Sequence, residues 1–286
     1  MHDERGGTVL NAFLAITKQA TTDLNAPKIT LCQAIQNPSD KGKDKAALYE
    51  QVIQGHKSAW QLKGQQEWYQ ARFDQYKQAL EANLSLSRIN EFVMKNVSPL
   101  LVGHGGVSAL ETSLTLHRIY GVPYIPGTAI KGLAAHYCHH VLGNENSDFL
   151  ADHAYYTALF GSQDQAGYIC FHDAWVTSHL IGSALVQDVM TPHHQAYNAI
   201  QLQKLGPKMD AAPRDDDDPI PLPFLAVKVS SHFRFMLTCA IDGLEEVQTK
   251  QWLNIAEEIV VHALEHEGIG GKTNAGYGLM VRVTGE

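Results

Sequence analysis

The chain has 286 residues, 44% of them hydrophobic and 18% charged, and a formal net charge of −8 at pH 7, a composition ordinary for a soluble globular protein of one elaborated domain or two. No positively charged start leads into an apolar run and no apolar span is long enough to cross a bilayer, so neither secretion nor membrane insertion is supported and the expected compartment is the cytoplasm. Cys32, Cys138, Cys170 and Cys239 are far apart with no Cys-x-x-Cys pair, which argues against a zinc ribbon or a disulfide framework and for reduced structural thiols.

The charge is uneven. Residues 1–100 hold 12 Lys+Arg against 10 Asp+Glu, whereas residues 101–286 hold 10 against 20. A nucleic-acid binder usually carries a basic surplus, so any RNA contact must be a local groove. The acidic remainder suits docking onto other proteins, or solubility alone.

In chain order, the first 45 residues lack strong periodicity, and the Lys/Asp cluster of Ser39 to Lys45 reads as an exposed loop. A helical pattern covers Ala46 to Asn83, where Tyr69, Phe73, Tyr76 and Leu80 share one face; this stripe is expected in the core rather than stacked on bases. After Pro99, Leu100 to Gly103 predicts a buried strand with a sharp exit at Gly103-His104-Gly105-Gly106, and Leu114 to Ile119 a second short strand. Pro126-Gly127-Thr128 introduces a helix with Thr128 as N-cap, Ile130, Leu133, Ala134, Tyr137 and Val141 on its apolar face, and Gly143 closing it. Lys131 falls in the first turn, where it opposes the helix dipole. It is either an ordinary solvated lysine or the partner of a nearby anion.

Gly167 to Val176 predicts a strand, and Leu180 to Pro223, with six prolines and the run Asp215 to Asp218, reads as an insertion. Alternation then follows: Leu225, Val227, Val229, Phe233, Phe235 and Leu237 against Lys228, Ser230, His232, Arg234 and Thr238. That is one long strand, or two joined by a turn near Ser230-Ser231. Thr249 to His266 predicts a helix with Trp252, Ile255, Ile259 and Ala263 inward, and the last strand carries Leu279, Val281 and Val283. The resulting α+β order, β-α-β-β-α-β, is that of a ferredoxin-like domain, the arrangement of RNA-recognition modules. A mainly helical extension, residues 1–95, is expected to pack on a ferredoxin-like domain, residues 96–286, whose central hairpin carries the insertion at about 180–223.

Five glycines lie in the eleven residues Gly268-Ile269-Gly270-Gly271-Lys272-Thr273-Asn274-Ala275-Gly276-Tyr277-Gly278. Such a loop can press backbone N–H groups against phosphates. Its Gly-Lys-Thr invites a P-loop reading, but His266 stands where the first P-loop glycine belongs, and a P-loop runs from strand to helix whereas this loop runs from helix to strand. A phosphodiester backbone is the better ligand.

Three motifs carry a resemblance: Glu111-Thr112-Ser113-Leu114-Thr115-Leu116-His117, then Gly121 to Gly132, and Gly268 to Gly278. Phe171 to Trp175, Asp188 to His193 and Pro223 to Val227 add to it. Together they resemble RAMP proteins of CRISPR systems, in the pattern of the sixth subunit of type III-B Cmr effector complexes. The resemblance runs from about Leu100 to the C-terminus. It implies a noncatalytic subunit with a ferredoxin-like RAMP core, capping the backbone near the 3′ end of the guide RNA, with target cleavage done by a different subunit. Implied partners are the CRISPR guide RNA, possibly target RNA, other Cmr RAMP subunits and the small helical subunit; no cofactor is implied. Carried onto this chain, the RNA contacts are Lys131 and the loop residues Gly270, Gly271, Lys272, Thr273, Asn274 and Tyr277, with Arg118 a weaker addition. Tyr277 either stacks on a base or packs under its own loop. The family pattern often has serine and a basic residue around the first helix, whereas here Ala129 and Ala134-Ala135 thin the positive charge.

Other chemistry is less well supported. His136 and His140 share a helical face beside Cys138 and His139, but no Glu stands between them in the zinc-protease manner and no third ligand is compelling. His193-His194 is discounted likewise. Asp215 to Asp218 could hold a divalent cation for cleavage but reads as a solvated loop. His104 or His117 could act as general base of a metal-independent endoribonuclease, yet neither has an identifiable acid partner. A protein-only structural adaptor is the third reading.

Overall fold

The computed structural model describes residues 11–17, 31–36, 42–84, 88–191, 221–239, 241 and 243–284. Its elements are α1 (Ala12–Thr17), α2 (Leu31–Gln36), α3 (Lys43–Trp60), α4 (Gln65–Asn83), β1 (Ile89–Asn96), β2 (Tyr124–Ile125), α5 (Gly127–Tyr137), α6 (Gly143–Glu145), α7 (Ala154–Phe160), β3 (Ile169–Phe171), β4 (Ala174–Val176), β5 (Leu185–Met190), β6 (Leu222–Val227), β7 (His232–Cys239), α8 (Glu246–His266) and β8 (Met280–Arg282). Helices and antiparallel strands are mixed. The main sheet has the order β2-β4-β7-β1-β8, with β3 also pairing β7. β5 and β6 form a separate two-stranded sheet, in register from Leu185 opposite Val227 to Met190 opposite Leu222.

The centre of the sheet is β1 against β7, paired from Ile89–Thr238 to Lys95–His232. On β7, Phe233, Phe235, Leu237 and Cys239 are buried with the main core, while Arg234, Met236 and Thr238 take the opposite face. Helices α5 and α8 pack on each other and on the sheet. The other face belongs to α4. There Tyr69, Phe73 and Tyr76 surround the Trp175 ring at 5.6, 5.8 and 5.9 Å, the Arg234 guanidinium lies 5.0 Å from the Phe73 ring centre, and the Tyr76 hydroxyl meets His172 Nδ1 at 2.6 Å. The aromatic stripe therefore packs in the interior, as its helical spacing predicts.

Several expectations shift. The helical stretch 46–83 is two helices, broken at Gln61–Gly64 where Gly64 takes φ 83°. The first strand of the sheet is Ile89–Asn96 rather than Leu100–Gly103; Leu100 makes a single bridge to Val227. Leu114–Ile119 is not a strand, having only the bridge Leu116–Pro123, because proline has no N–H with which to extend a ladder. Thr128 does not cap α5. Pro126 takes that position with no side-chain cap, and the helix runs on through a π turn at Cys138–Leu142 instead of closing at Gly143. The alternating stretch is two strands in different sheets, separated by a turn in which Ser230 has φ 67°. α8 begins three residues early, since Glu245 and Gln248 form a reciprocal capping box, and Ile255 faces outward, 39% exposed. In β8 it is Met280, fully buried, that points into the core. Of the expected insertion, Leu185–Met190 and Leu222–Val227 are the strands β5 and β6, while Asp215 to Asp218 and His193-His194 lie outside the described residues.

Two buried polar residues fix the frame. Asn96, with no exposed surface, donates from Nδ2 to the carbonyls of Ser98 (2.8 Å) and Lys228 (3.0 Å) and accepts at Oδ1 from the Ser231 N–H (2.8 Å). Glu257, on α8, accepts from Asn90 of β1 and Arg282 of β8, tying helix to sheet. Among the described residues no helix is long and apolar enough to cross a membrane.

His56 on α3 is 1% exposed and bonds through Nε2 to the Ile181 carbonyl at 2.8 Å. Burial pushes its ring down to about 4, the carbonyl bond partly opposing. Above pH 6.5 the ring is neutral folded and unfolded. Between about 6.5 and 4 the unfolded chain takes up a proton that the folded chain refuses, so stability falls, by up to about 3 kcal/mol. Urea unfolding across this range is expected to show the decline, and His56→Gln to flatten it; parallel curves would remove His56 from the account.

Candidate nucleic-acid interface

The glycine loop leaves α8 and folds back on itself. Ile269 N–H donates to the Gly278 carbonyl at 2.9 Å, and two further amides reach across to the segment after β1: Gly278 to Pro99 O (2.9 Å) and Gly271 to Leu101 O (2.6 Å). This approach needs glycine at two points. A Cβ on Gly270 (φ 97°) would collide with the Leu101 carbonyl, and one on Gly278 (φ 83°) with that of Ile269. Buried Ile269 anchors the base of the arch.

At the tip, Thr273–Ala275 form one 3₁₀ turn. The amides of Ala275, Gly276 and Tyr277 turn inward to the carbonyls of Lys272 and Thr273, at 2.8 to 3.3 Å. Among the described residues, those of Lys272, Thr273 and Asn274 have no protein acceptor. Lys272 itself is in the left-handed region, φ 62°, a conformation that costs a side-chain-bearing residue about 1–2 kcal/mol. It has no ion-pair partner among the described residues. A lysine with three free amides is the chemistry of an oxyanion cradle.

The floor of the loop is one that sequence reasoning did not identify. His104 lies against Gly271, in a turn held by the Ser113 hydroxyl donating to Gly103 O and by Thr115 N–H donating to Val102 O at 2.7 Å. His104 stands edge-on to Phe224, ring centres 5.6 Å apart, with a buried Nδ1 that has no partner. Burial, and then the charge of Lys272, hold its pKa below the usual imidazole range. Tyr277 leans on Phe224 and donates its hydroxyl to Asp188 Oδ2 at 2.6 Å. Burial first, then the Asp188 bond and charge, push the phenol up to about 12. The ring thus rests on β6 and its hydroxyl on β5.

The other glycine-bearing segment is arranged differently. The Gly127 N–H, in the first turn of α5, donates to Asp173 Oδ1 at 2.8 Å, so the anion at that helix end is the protein's own carboxylate. Lys131 is exposed on the same turn. Arg118 is exposed with its guanidinium 6.0 Å from the Phe13 ring centre, and its carbonyl accepts from the Asn11 amide (3.2 Å), tying it to the N-terminal helices. The loop residues Gly270 to Tyr277 thus group with 99–106, Lys131 with the start of α5, and Arg118 with α1. His136 Nδ1 lies 3.0 Å from Glu267 Oε2 and joins the two regions. Asp173 and Asp188 both fall within motifs noted in the sequence, but nothing local could show which amide or hydroxyl each would meet.

The discounted chemistry finds no assembled centre among the described residues. His117 accepts at Nδ1 from the amides of Ile119 (3.2 Å) and Tyr120 (3.4 Å) and stacks on Tyr120, so its neutral ring carries the proton on Nε2 and is a donor, not a base. His136 is engaged by Glu267, and His139 Nδ1 accepts from Ala151 N–H at 3.0 Å. Burial pushes the Cys138 thiol up to about 12, away from the thiolate a metal needs. All four cysteines are free.

A family model described as the RAMP superfamily matches residues 93–281, from within β1 to within β8. The chain belongs to the RAMP superfamily. It is 31% identical over 237 residues to a protein named CRISPR system Cmr subunit Cmr6 from Pyrococcus furiosus, a match covering 65% of this chain and 66% of that relative's length. A chain in the cryo-EM structure of the type III-B Cmr-beta bound to cognate target RNA shares the fold, with a TM-score of 0.58 at 21% identity over 92% of this chain and 82% of that one. The crystal structure of Cmr6 from Pyrococcus furiosus gives a TM-score of 0.44 at 27% identity, over 70% of this chain and 100% of that one.

The loop geometry separates two glycines of the same motif. Gly276, φ 86°, has open space where a Cβ would sit, so Gly276→Ala is expected to cost only the left-handed backbone term, about 1–2 kcal/mol. Gly278→Ala adds a backbone collision and is expected to cost more. Chemical denaturation of both variants checks the order.

Proposed function

We propose that this chain is a noncatalytic RNA-binding subunit of a type III-B CRISPR effector complex, capping its backbone near the 3′ end of the guide RNA in antiviral defence. The observation that carries the reading is the tip of the glycine loop, where Lys272 sits at positive φ beside three amides that have no protein acceptor among the described residues. A cradle of that kind holds phosphate oxygens without reading bases, as a protein serving guides of varied sequence must. The relative named as a Cmr6 subunit, and the fold shared with a chain of a complex bound to target RNA, support the assembly. On this reading the partners are guide RNA, possibly target RNA, other Cmr RAMP subunits and the small helical subunit, and the site of action is the cytoplasm.

The core is proposed to be ferredoxin-like: β1, α5, the β3/β4 segment, β7, α8 and β8 follow the β-α-β-β-α-β path, and their order in the sheet, β4-β7-β1-β8, suits it. The N-terminal extension then ends before Arg88, ahead of the assumed boundary at residue 95, and the insertion leaves through β5 and returns through β6. Gly270, Gly271, Thr273, Asn274 and Tyr277 shape or line the cradle, Gly271 through its bond to Leu101 rather than as a donor to RNA. Lys131 is proposed as a second phosphate contact and Arg118 as a peripheral one. A helix rises 1.5 Å per residue, so Lys131, five residues before His136, sits within about 8 Å along α5 of the His136–Glu267 contact at the loop's base.

Guide-like single-stranded RNA titrated across a range of salt tests the cradle. Lys272→Ala is expected to weaken binding uniformly across sequences and to flatten the log–log salt dependence by about 0.7 to 1 unit, with Lys131→Ala doing less. An unchanged slope for Lys272→Ala would sink the cradle. Cleavage of that RNA by the pure chain, lost in His104→Ala, would favour the endoribonuclease instead.

A further inference from the structure

Outside this site, one cluster among the described residues has the donors and spacing of a metal centre. We propose that His262, Glu265 and His266, on the solvent face of the final turns of α8, form a chelating site for a late first-row divalent cation, with zinc the best fit. Their ligand atoms all lie within 4.8 Å of one another. The spacing i, i+3, i+4 puts the three on one helical face, and the two imidazole planes are parallel to within 5°, ring centres 6.0 Å apart. Both rings therefore flank the same gap, with Glu265 completing a triangle.

The surroundings favour a cation there. Glu258 Oε2 lies 3.8 Å from His262 Nε2, adding a second carboxylate beside the cluster. His266 is the last residue of α8, where the helix dipole presents its negative end. The opposite face is held by buried Val260, Val261, Ala263 and Leu264, so the ligands project from a rigid element. A zinc ion with ligands at about 2.0–2.2 Å needs donors about 3.3 Å apart. The two exposed histidines and the half-buried Glu265 already hold their ligand atoms within 4.8 Å, so side-chain rotation is the adjustment that binding would need. Two imidazoles and one carboxylate suit zinc, copper or nickel; magnesium, which demands oxygen ligands and keeps its waters, is selected against. Three protein ligands leave a fourth tetrahedral position for water or for a side chain of an adjoining protein.

This site is distinct from the histidines of α5, where His136 already faces Glu267. Isothermal titration of the full chain, metal-stripped and without a histidine tag, with Zn²⁺ near neutral pH tests it. One equivalent is expected to bind, Mg²⁺ is expected to give no site, and His262→Ala and His266→Ala are each expected to weaken zinc by about tenfold or more. His136→Ala/His140→Ala is expected to leave binding intact. Glu265→Gln, which keeps size and exposure, serves as the second arm, with circular dichroism confirming the helix in each variant. Absence of stoichiometric zinc binding, or binding equal to wild type in His262→Ala/His266→Ala, overturns the proposal. Binding lost instead in the His136→Ala/His140→Ala variant overturns it too.

Discussion

Asn96 is a fully buried amide at the point where the chain must part from itself. Its side chain holds the carbonyls of Ser98 and Lys228 and the amide of Ser231, so β1, the segment that follows it, and the turn between β6 and β7 meet on one residue. A buried amide left without partners costs more than the bonds it makes contribute. Here both amide hydrogens and the oxygen are used. From this junction β7 continues in the main sheet, β6 in the second, and Pro99 to Leu101 runs to where the glycine loop lies against it. The tip of the glycine loop is thus positioned by a contact deep in the fold.

Much of the core was legible in the sequence because it is written in periodicity. The stripe of Tyr69, Phe73 and Tyr76, the alternation from Leu225 to Leu237, and the helix before the glycine loop all follow from local spacing. What local spacing cannot supply is a partner at long range. Thr128 looks like a cap until Asp173 brings its carboxylate to Gly127, forty-six residues earlier in the chain. Leu114 to Ile119 looks like a strand until Ser113 is pinned to Gly103 and Pro123 ends the one bridge that forms. The strand that was overlooked, Ile89 to Asn96, does alternate, burying Phe92, Met94 and Asn96, but a polar residue at a core position masks the pattern. At the candidate site the loop itself could be read, whereas the floor made by Gly103 to Gly106, Phe224 and Asp188 could not.

The two glycine-bearing segments also differ in how they treat charge. At the start of α5 the positive end of the helix is met internally by Asp173, and Lys131 stands free beside a neutralised terminus. At the loop no carboxylate among the described residues pairs with Lys272, and Asp188 is engaged by the Tyr277 hydroxyl. A chain with an acidic surplus thus keeps its positive potential where backbone amides add to it. His104, held neutral beneath the same lysine by burial, does not add a competing charge. Because Lys272 carries its side chain in a conformation natural to glycine, its local backbone energy is set against whatever that ammonium binds.

The hydroxyl of Tyr277 joins two parts of the molecule that share no sheet. Asp188 sits in β5, the strand from which the chain departs into residues 191–221 and to whose neighbour β6 it returns. Tyr277 forms one wall of the glycine loop. That hydrogen bond, together with the contact of the Tyr277 ring on Phe224, braces the glycine loop against the two-stranded sheet, so the shape of the loop that carries Lys272 depends on β5 and β6 as much as on the helix it leaves.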